Sequence, residues 1–275
     1  MKGKILFIYT NYSTFVKTDF AILSSEYEVK KYCFKPVKGV FPGLLQIIRQ
    51  FIYLLVNGWK YDRYFIWFAD YHSLLPVLFS KLFGKKVYIV IGGYDACRIR
   101  SLRYGVFVSK FRGFFAIRSI RNSTLNLTVS GYVDRRIKAI APRAPRKLIY
   151  NCVNMKAGNP VSMKKDIVLT IGLVNNEQTF YRKGIDTFIE VAGLLPEYRF
   201  VMIGITASGI GHLLQGLPSN LELFDRVEQE KLTGFYSEAK VYAQFSRMDT
   251  FCLTLAEAML FGCFPVITNE GECRK

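Results

Sequence analysis

The sequence predicts an α/β protein of two doubly wound lobes, each with a parallel sheet covered by helices on both faces. Short apolar runs rich in β-branched and aromatic residues recur along the 275 residues, with helical patterns between them. This alternation breaks once, over 151–166, where a Gly-Asn-Pro turn and three lysines form a polar connection. The predicted lobes are 1–157 and 158–275.

Six apolar runs in the first lobe are predicted to be strands. The first, at 4–9, is a buried strand rather than a signal peptide, because Asn11 ends the apolar stretch too early. The strands are predicted at 4–9, 28–34, 63–68, 86–92, 125–130 and 147–150, and the helices at 16–25, 43–56, 73–83, 106–119 and 132–140. The longest apolar segment, 44–56, is shorter than the about 20 residues of a bilayer span, so no transmembrane helix is predicted.

The second lobe repeats the alternation. Strands are predicted at 167–174, 199–204, 220–224, 240–245 and 264–268, and helices at 184–195, 228–239 and 253–261. In the helix at 184–195, apolar residues recur at i, i+3, i+4 and i+7, and Pro196 ends it. Ligands of open parallel sheets bind beyond the carboxyl ends of the strands, so functional residues are expected just after strands, facing a cleft between the lobes.

The charge balance favours anionic partners. Lys and Arg number 38 against 21 Asp and Glu, a net charge of +17. No acid occurs from 96 to 133, and within that range the stretch 98–121 alternates arginines with phenylalanines. We interpret the stretch 98–121 as a surface for an anionic membrane, the alternative being an ordinary helix whose phenylalanines enter the core. No nucleic-acid-binding motif accompanies the charge, so no nucleic-acid partner is predicted.

Metal and thiol chemistry have little support in the sequence. The six cysteines are scattered and are predicted to be reduced thiols of a cytosolic protein. His72 and His212 are the only histidines, and no Asp-x-Asp occurs, so neither a metal nor another cofactor is predicted. His72 could reach the cleft, but the pattern favours a surface histidine at a helix start.

The first candidate cluster is Arg182-Lys183-Gly184, which follows the strand at 167–174 and begins a predicted helix. Free backbone N–H groups and the helix dipole make a helix N-terminus a good site for a diphosphate. The alternative is that Arg182 and Lys183 are solvated surface cations.

The second candidate cluster joins two acids, Asp249 and Glu257, separated by seven residues across a strand-to-helix turn. Both side chains can face the cleft. The alternative for Glu257 is a capping box with Thr254, in which the carboxylate only satisfies a backbone N–H at the helix start. The pattern leaves both interpretations open.

With these clusters, the sequence resembles the retaining GT-B glycosyltransferases of family 4, also called glycosyl transferases group 1. The resemblance rests on motifs in the family's order and spacing at 171–173, 183–186, 200–204, 218–221 and 249–265. It implies a GT-B fold and a metal-independent hexosyltransferase of polysaccharide biosynthesis. The implied reaction moves a sugar from a UDP- or GDP-linked donor to a glycan or lipid-linked glycan, in the cytoplasm or peripherally on the inner face of the membrane.

The resemblance also assigns roles to residues. Glu257 is expected to bind the nucleotide ribose, Asp249 to face the transferring sugar, and Lys183, assisted by Arg182, to neutralise the diphosphate. Such fixed charges act by preorganised electrostatic stabilisation. The further donor-binding positions are Gly172, Phe251, Cys252, Leu253 and Thr254. The expected acceptor-lobe cleft residues are Asn11, Gly92, Gly93 and Asp95.

The sequence departs from the family pattern in three places and ends early. Asp249 stands where the family usually has Glu, Leu173 follows Gly172 where Arg is common, and Gly92-Gly93 replaces a His-Gly pair. The family normally continues beyond Lys275, so a truncated second lobe is expected. These departures motivate an alternative function, a catalytically inactive protein or fragment that binds a nucleotide-sugar.

Overall fold

The chain forms two compact α/β units, Met1–Asn151 and Cys152–Lys275. The computed structural model describes residues 2–37, 39–153, 155, 163–207 and 209–269. The predicted boundary between 157 and 158 lies outside these residues. Each unit has its own parallel sheet, and the order of the strands places the residues discussed below.

Unit 1, Met1–Asn151, contains a six-stranded parallel sheet in the order β2-β1-β3-β4-β5-β6. Its strands are β1 (Lys4–Tyr9), β2 (Glu28–Cys33), β3 (Arg63–Trp67), β4 (Lys86–Ile91), β5 (Leu125–Thr128) and β6 (Arg146–Leu148). Its helices are α1 (Thr14–Glu26), α2 (Val40–Asn57), α3 (Tyr71–Leu82), α4 (Lys110–Asn122) and α5 (Gly131–Ile140). Short 3-10 turns occupy Gly58–Lys60, Tyr94–Ala96 and Val106–Val108.

Local side chains set the starts of three helices in unit 1. The carboxylate of Asp70 accepts from Tyr71 N at 2.8 Å and caps α3, and the hydroxyls of Ser109 and Ser130 cap α4 and α5. Such caps satisfy N–H groups that have no partner within the helix. The cap at Ser109 starts α4 later than the predicted helix at 106–119.

Unit 2, Cys152–Lys275, contains a five-stranded parallel sheet in the order β11-β10-β7-β8-β9. Its strands are β7 (Lys165–Val174), β8 (Arg199–Ile205), β9 (Leu221–Phe224), β10 (Ala239–Gln244) and β11 (Phe264–Ile267). Its helices are α6 (Glu177–Lys183), α7 (Ile185–Leu194), α8 (Gln229–Glu238) and α9 (Leu253–Leu260). A 3-10 turn lies at Gly211–Leu214. Buried apolar clusters lie on both faces of this sheet.

The predicted strands are all found, but the segment before Gly184 differs from the prediction. It forms helix α6, started by Asn176, whose side chain accepts from Thr179 N at 2.9 Å. Arg182 and Lys183 therefore end one helix rather than begin another. Cations in a last helical turn are stabilised by the helix dipole, so a helix N-terminus does not account for this pair.

Two further expectations are corrected. His72 is buried, with Nε2 at 3.1 Å from the carbonyl O of Trp67, and burial lowers its pKa. The prediction of a surface histidine is wrong, because α3 starts at Tyr71 and packs its first turn inward. The prediction that every cysteine is reduced is wrong at Cys252, which takes part in a disulfide, whereas Cys33, Cys97, Cys152 and Cys263 are free.

Candidate active site

The candidate site of unit 2 lies beyond the carboxyl ends of two neighbouring strands, β7 and β10. The corner between α6 and α7 follows β7, and the loop 245–252 follows β10. Gly184 lets the two segments approach closely: its φ is +67°, and a Cβ there would lie 1.9 Å from the carbonyl O of Phe245. Only glycine tolerates both conditions.

Lys183 and Asp249 form an ion pair at the centre of this site. Lys183 Nζ lies 2.6 Å from Asp249 Oδ2, and Gln244 Nε2 donates to the same oxygen at 3.0 Å. Burial by itself would raise the pKa of Asp249, but Lys183 and Arg182 outweigh burial and hold that pKa below its ordinary value. Asp249 is therefore an anion near neutral pH, and any ligand anion must compete with it for Lys183.

Two arginines fix the corner and the loop against each other. Arg182 Nη1 donates to the carbonyl O of Met248 at 3.2 Å. Arg247 forms two hydrogen bonds of 2.7 Å to the carboxylate of Asp186 and one of 2.6 Å to the carbonyl O of Tyr181. Bidentate pairs of this kind hold a defined geometry. The position of Lys183 beside Asp249 is thus built into the packing of the two segments.

Glu257 is buried in α9 and does not cap a helix. The helix begins at Leu253, so Thr254 is already inside it and the capping box does not form. Tyr236 Oη donates to Glu257 Oε2 at 2.7 Å, and no residue in the described ranges bonds Oε1. Burial raises the pKa of Glu257, while the Tyr236 hydrogen bond opposes that rise. The capping-box alternative is therefore wrong, and one carboxylate oxygen has no partner within the described part of the chain.

The remaining predicted donor-binding residues lie around the same loop. The methylenes of Lys183 pass within 3.9 Å of where a side chain on Gly172 would begin. Thr254 Oγ1 accepts from Tyr242 Oη at 2.7 Å. Leu253 N donates to the carbonyl O of Phe251 at 3.1 Å, so this N–H is used within the turn. Cys252 is the N-cap residue of α9, and no side chain caps that helix.

The predicted acceptor residues of unit 1 divide into exposed and structural positions. Asn11 is exposed, whereas Gly92 packs directly against the ring of Phe68. Asp95 is fully buried and accepts from Gly93 N at 2.8 Å and Ala69 N at 2.9 Å. Burial raises the pKa of Asp95 to about 7. In this position Asp95 joins the loops that follow β3 and β4.

Sequence reasoning missed a cavity beyond the carboxyl ends of the unit 1 strands. Its volume is about 210 Å³, and its lining includes Asp70, Tyr94 and Arg112. Arg112 Nε donates to Asp70 Oδ1 at 3.1 Å, a second guanidinium bond reaches Oδ2, and Nη1 donates to Tyr94 Oη at 2.9 Å. In the sequence, Arg112 is one of many cations in the acid-free range 96–133, and nothing in that pattern distinguishes it from the others.

The described residues contain no group of three His, Cys, Asp or Glu side chains placed as metal ligands would be. The site of unit 2 instead offers a cation that can exchange one anionic partner for another, beside a buried carboxylate. Such a set can bind a phosphate and an adjacent hydroxyl. It contains no histidine that would act as a general base.

One protein-family model matches part of the chain. Residues 155–275 match the family described as glycosyl transferases group 1. The match includes every candidate residue of the site just described. No curated protein sequence matches the chain significantly.

Several solved structures share the fold of the whole chain. Sucrose-phosphate synthase from Thermosynechococcus elongatus is 14% identical with a TM-score of 0.72, over 98% of this chain and 82% of that one. The lipopolysaccharide outer core galactosyltransferase WaaB is 15% identical with a TM-score of 0.67, over 98% and 81%. A putative UDP-N-acetylglucosamine 2-epimerase from Listeria monocytogenes is 9% identical with a TM-score of 0.63, over 100% and 81%. The predicted GT-B class, with two Rossmann-like lobes, is confirmed.

Proposed function

We propose that this protein is a glycosyltransferase that moves a hexose from a UDP- or GDP-linked donor to a glycan or lipid-linked glycan, with retention of anomeric configuration. The observation that carries the proposal is the Lys183–Asp249 pair at the carboxyl ends of β7 and β10, within the segment that matches glycosyl transferases group 1. A shared fold alone would not decide the reaction, because a protein named as an epimerase also has it.

In the proposed mechanism, Lys183 exchanges Asp249 for the donor diphosphate, and Arg182 adds positive charge beside it. The ammonium then stabilises the charge that develops on the leaving diphosphate, without a metal. Asp249, released from Lys183, faces the transferring sugar. Glu257 accepts a ribose hydroxyl through Oε1 while Tyr236 holds Oε2.

The acceptor side of the proposal rests on unit 1. We infer that the stretch 98–121 contacts an anionic membrane, where a lipid-linked acceptor of polysaccharide biosynthesis would be found. Phe111 and Phe114 are 65% and 49% exposed, and the guanidinium of Arg118 lies 5.1 Å from the Phe114 ring centre. Phe111 and Phe114 therefore do not enter the core, whereas Phe107 and Phe115 of the same stretch are half-buried. A cytoplasmic location on the inner membrane face is part of the same proposal, and so is assignment to family 4.

The test is an assay with UDP-, GDP- and ADP-sugars labelled in the sugar, after a thermal-shift panel has identified the nucleotide. The proposal expects label to move to the acceptor with the donor's anomeric configuration. It also expects transfer to fall about a hundredfold or more in Lys183→Ala and Glu257→Gln. The control is Glu222→Gln. It alters an exposed ion pair with Arg199 at the amino-terminal ends of the strands of the same sheet, away from the candidate site.

The alternative function is nucleotide-sugar binding without turnover. Asp249 favours this alternative, because it already forms an ion pair with Lys183 and its side chain is one methylene shorter than the glutamate common in the family. Saturable binding with no loss of label from the donor would support this alternative. Label that stays on the nucleotide as a different sugar would instead indicate epimerisation and would refute transfer.

A further inference from the structure

Helix α2 turns most of its apolar side chains outward, and the side that faces the protein carries Gln50 and Tyr53 beside Leu54. Gln50 is 1% exposed, and its Nε2 donates to the carbonyl O of His72 at 2.9 Å. Tyr53 Oη lies 2.8 Å from Tyr61 Oη, at a part-buried contact. An ordinary surface helix buries its apolar stripe against the core. The apolar side chains that α2 leaves exposed therefore need a partner on its outer side.

The outer side of α2 is a continuous apolar surface. Nine of its apolar side chains are each at least 41% exposed, among them Phe41, Leu44, Ile48, Ile52, Leu55 and Val56. At 100° per residue these side chains cover one arc of about 160° of the helix surface. Apolar patches of this size on soluble proteins mark sites of interaction with a protein or a membrane.

The two neighbouring helices extend this surface. α2 packs on α3, with the rings of Phe51 and Phe79 5.5 Å apart, and α3 packs on α4 through the Ser73–Ser119 hydrogen bond of 2.7 Å. The exposed Leu82 of α3 adds further apolar area. We call the outer side of α2, α3 and α4 the helix layer.

The charge of the helix layer selects the partner. Its three helices contain no Asp or Glu and six Lys or Arg. All of unit 1 carries 26 Lys and Arg against seven acids, a net charge of +19, whereas unit 2 carries 12 against 14. The excess of positive charge thus belongs to the unit with the exposed apolar helix. An anionic bilayer offers both an apolar interior and negative headgroups.

We propose that the helix layer docks on an anionic lipid bilayer, with α2 lying in the membrane interface parallel to the surface. By length and composition Val40–Lys60 could also cross a membrane. The buried hydrogen bond of Gln50 and the contact of Tyr53 hold α2 along the body of unit 1 and favour the parallel placement. This proposal does not rest on the sugar-transfer chemistry, since all its residues lie in unit 1.

The test uses the whole protein with vesicles of neutral phosphatidylcholine and with vesicles containing anionic phosphatidylglycerol. We expect the wild type to sediment with the anionic vesicles only, and high salt to reduce its recovery. Trp59 is 58% exposed at the end of α2 and the other tryptophan, Trp67, is buried. Lipids brominated on the acyl chains should therefore quench Trp59, and Trp59→Phe should abolish the quenching.

The matched variants are Ile52→Glu on α2 and Ile22→Glu on α1, because these isoleucines are 54% and 55% exposed on helices of the same unit. Ile52→Glu should weaken vesicle partition about tenfold or more, since it removes an inserted side chain and adds repulsion. Ile22→Glu should stay within about twofold of wild type. Neither change disturbs a buried contact, so both variants should fold.

Three results would overturn the proposal. They are equal recovery with neutral and anionic vesicles, equal binding by the two glutamate variants, and a wild-type dimer that Ile52→Glu dissociates without any vesicle binding. The last result would assign the helix layer to contact between two copies of the chain. Because the readout is lipid binding, loss of sugar transfer would leave this proposal standing, and loss of vesicle binding would leave the donor site untouched.

Discussion

The proposed exchange of partners at Lys183 predicts that Asp249→Asn tightens UDP binding while it slows sugar transfer. In the wild type, Lys183 Nζ lies 2.6 Å from a carboxylate that a diphosphate must displace. Asparagine keeps the size of the side chain and its Oδ1, but removes the charge that competes with the ligand. The same substitution removes the carboxylate that we place against the sugar, so transfer should fall.

The magnitude follows from the burial of the pair. Exposed ion pairs contribute about 0.2–1 kcal/mol, and breaking a fully buried pair costs about 3–5 kcal/mol. The side chains of Lys183 and Asp249 are 20% and 12% exposed, so the pair lies between these limits. Allowing for solvent screening, we take about 1–2 kcal/mol, which corresponds to a five- to thirtyfold lower Kd for UDP.

The pH dependence has a definite sign. The pKa of Asp249 is lowered in the folded state, so its pairing stabilises the fold above the unfolded pKa of 3.8 and is lost as pH falls through the still lower folded pKa. Asp249 therefore stays ionised between pH 6 and 8, and its competition with a diphosphate for Lys183 does not change over that range. The difference in UDP affinity between wild type and Asp249→Asn should not change across that range.

Titration calorimetry with UDP measures the effect. Lys183→Ala should bind UDP more weakly than wild type, and Glu222→Gln, which alters the exposed pair with Arg199, should bind it equally. If Asp249→Asn binds UDP no better than wild type while Lys183→Ala binds it worse, Lys183 contacts the diphosphate without releasing Asp249. The exchange mechanism would then be refuted.

Three further predictions concern stability. Gly184→Ala should lower the free energy of unfolding by about 2–4 kcal/mol and Gly216→Ala by about 1 kcal/mol, measured by urea denaturation. The φ values of the two glycines are nearly equal, +67° and +65°, but only the Cβ added at position 184 would clash with a carbonyl oxygen. Tyr236→Phe should cost about 2 kcal/mol, because it removes the donor to the buried Glu257. For Asp95, whose pKa rises from 3.8 to about 7 on folding, the stability advantage of wild type over Asp95→Asn should shrink as pH rises from 4 to 7. A pH-independent difference would contradict the assignment of that pKa.

The strands could be predicted from sequence because parallel strands buried on both faces are continuous apolar runs. The run at 63–68 is an example, since Tyr64, Ile66 and Trp67 are all almost fully buried in β3. Helix α6 could not be predicted in the same way. It buries a single large side chain, Phe180, and depends on the cap at Asn176, so it has no apolar periodicity.

The sequence could predict which residues belong to the site, but it could not predict which of them contact each other. Lys183 and Asp249 are 66 residues apart, and only the neighbouring positions of β7 and β10 bring them together. The same holds for Arg112 and Asp70, which are 42 residues apart and line the cavity of unit 1. A pattern of residue types identifies which side chains are unusual, whereas the order of strands in a sheet decides which of them meet.

The orientation of α2 shows a further limit. Its periodicity is that of an amphipathic helix, but periodicity does not reveal which side faces the protein. Here Gln50 and Leu54 face the protein, and Gln50 makes a buried hydrogen bond to the carbonyl O of His72. The distribution of charge fits the proposed function, because Lys183 and Arg247 are paired with acids while unit 1 holds the excess positive charge. Under that proposal a diphosphate would be bound by exchange at Lys183, and the excess charge of unit 1 would serve the surface on which an acceptor lies.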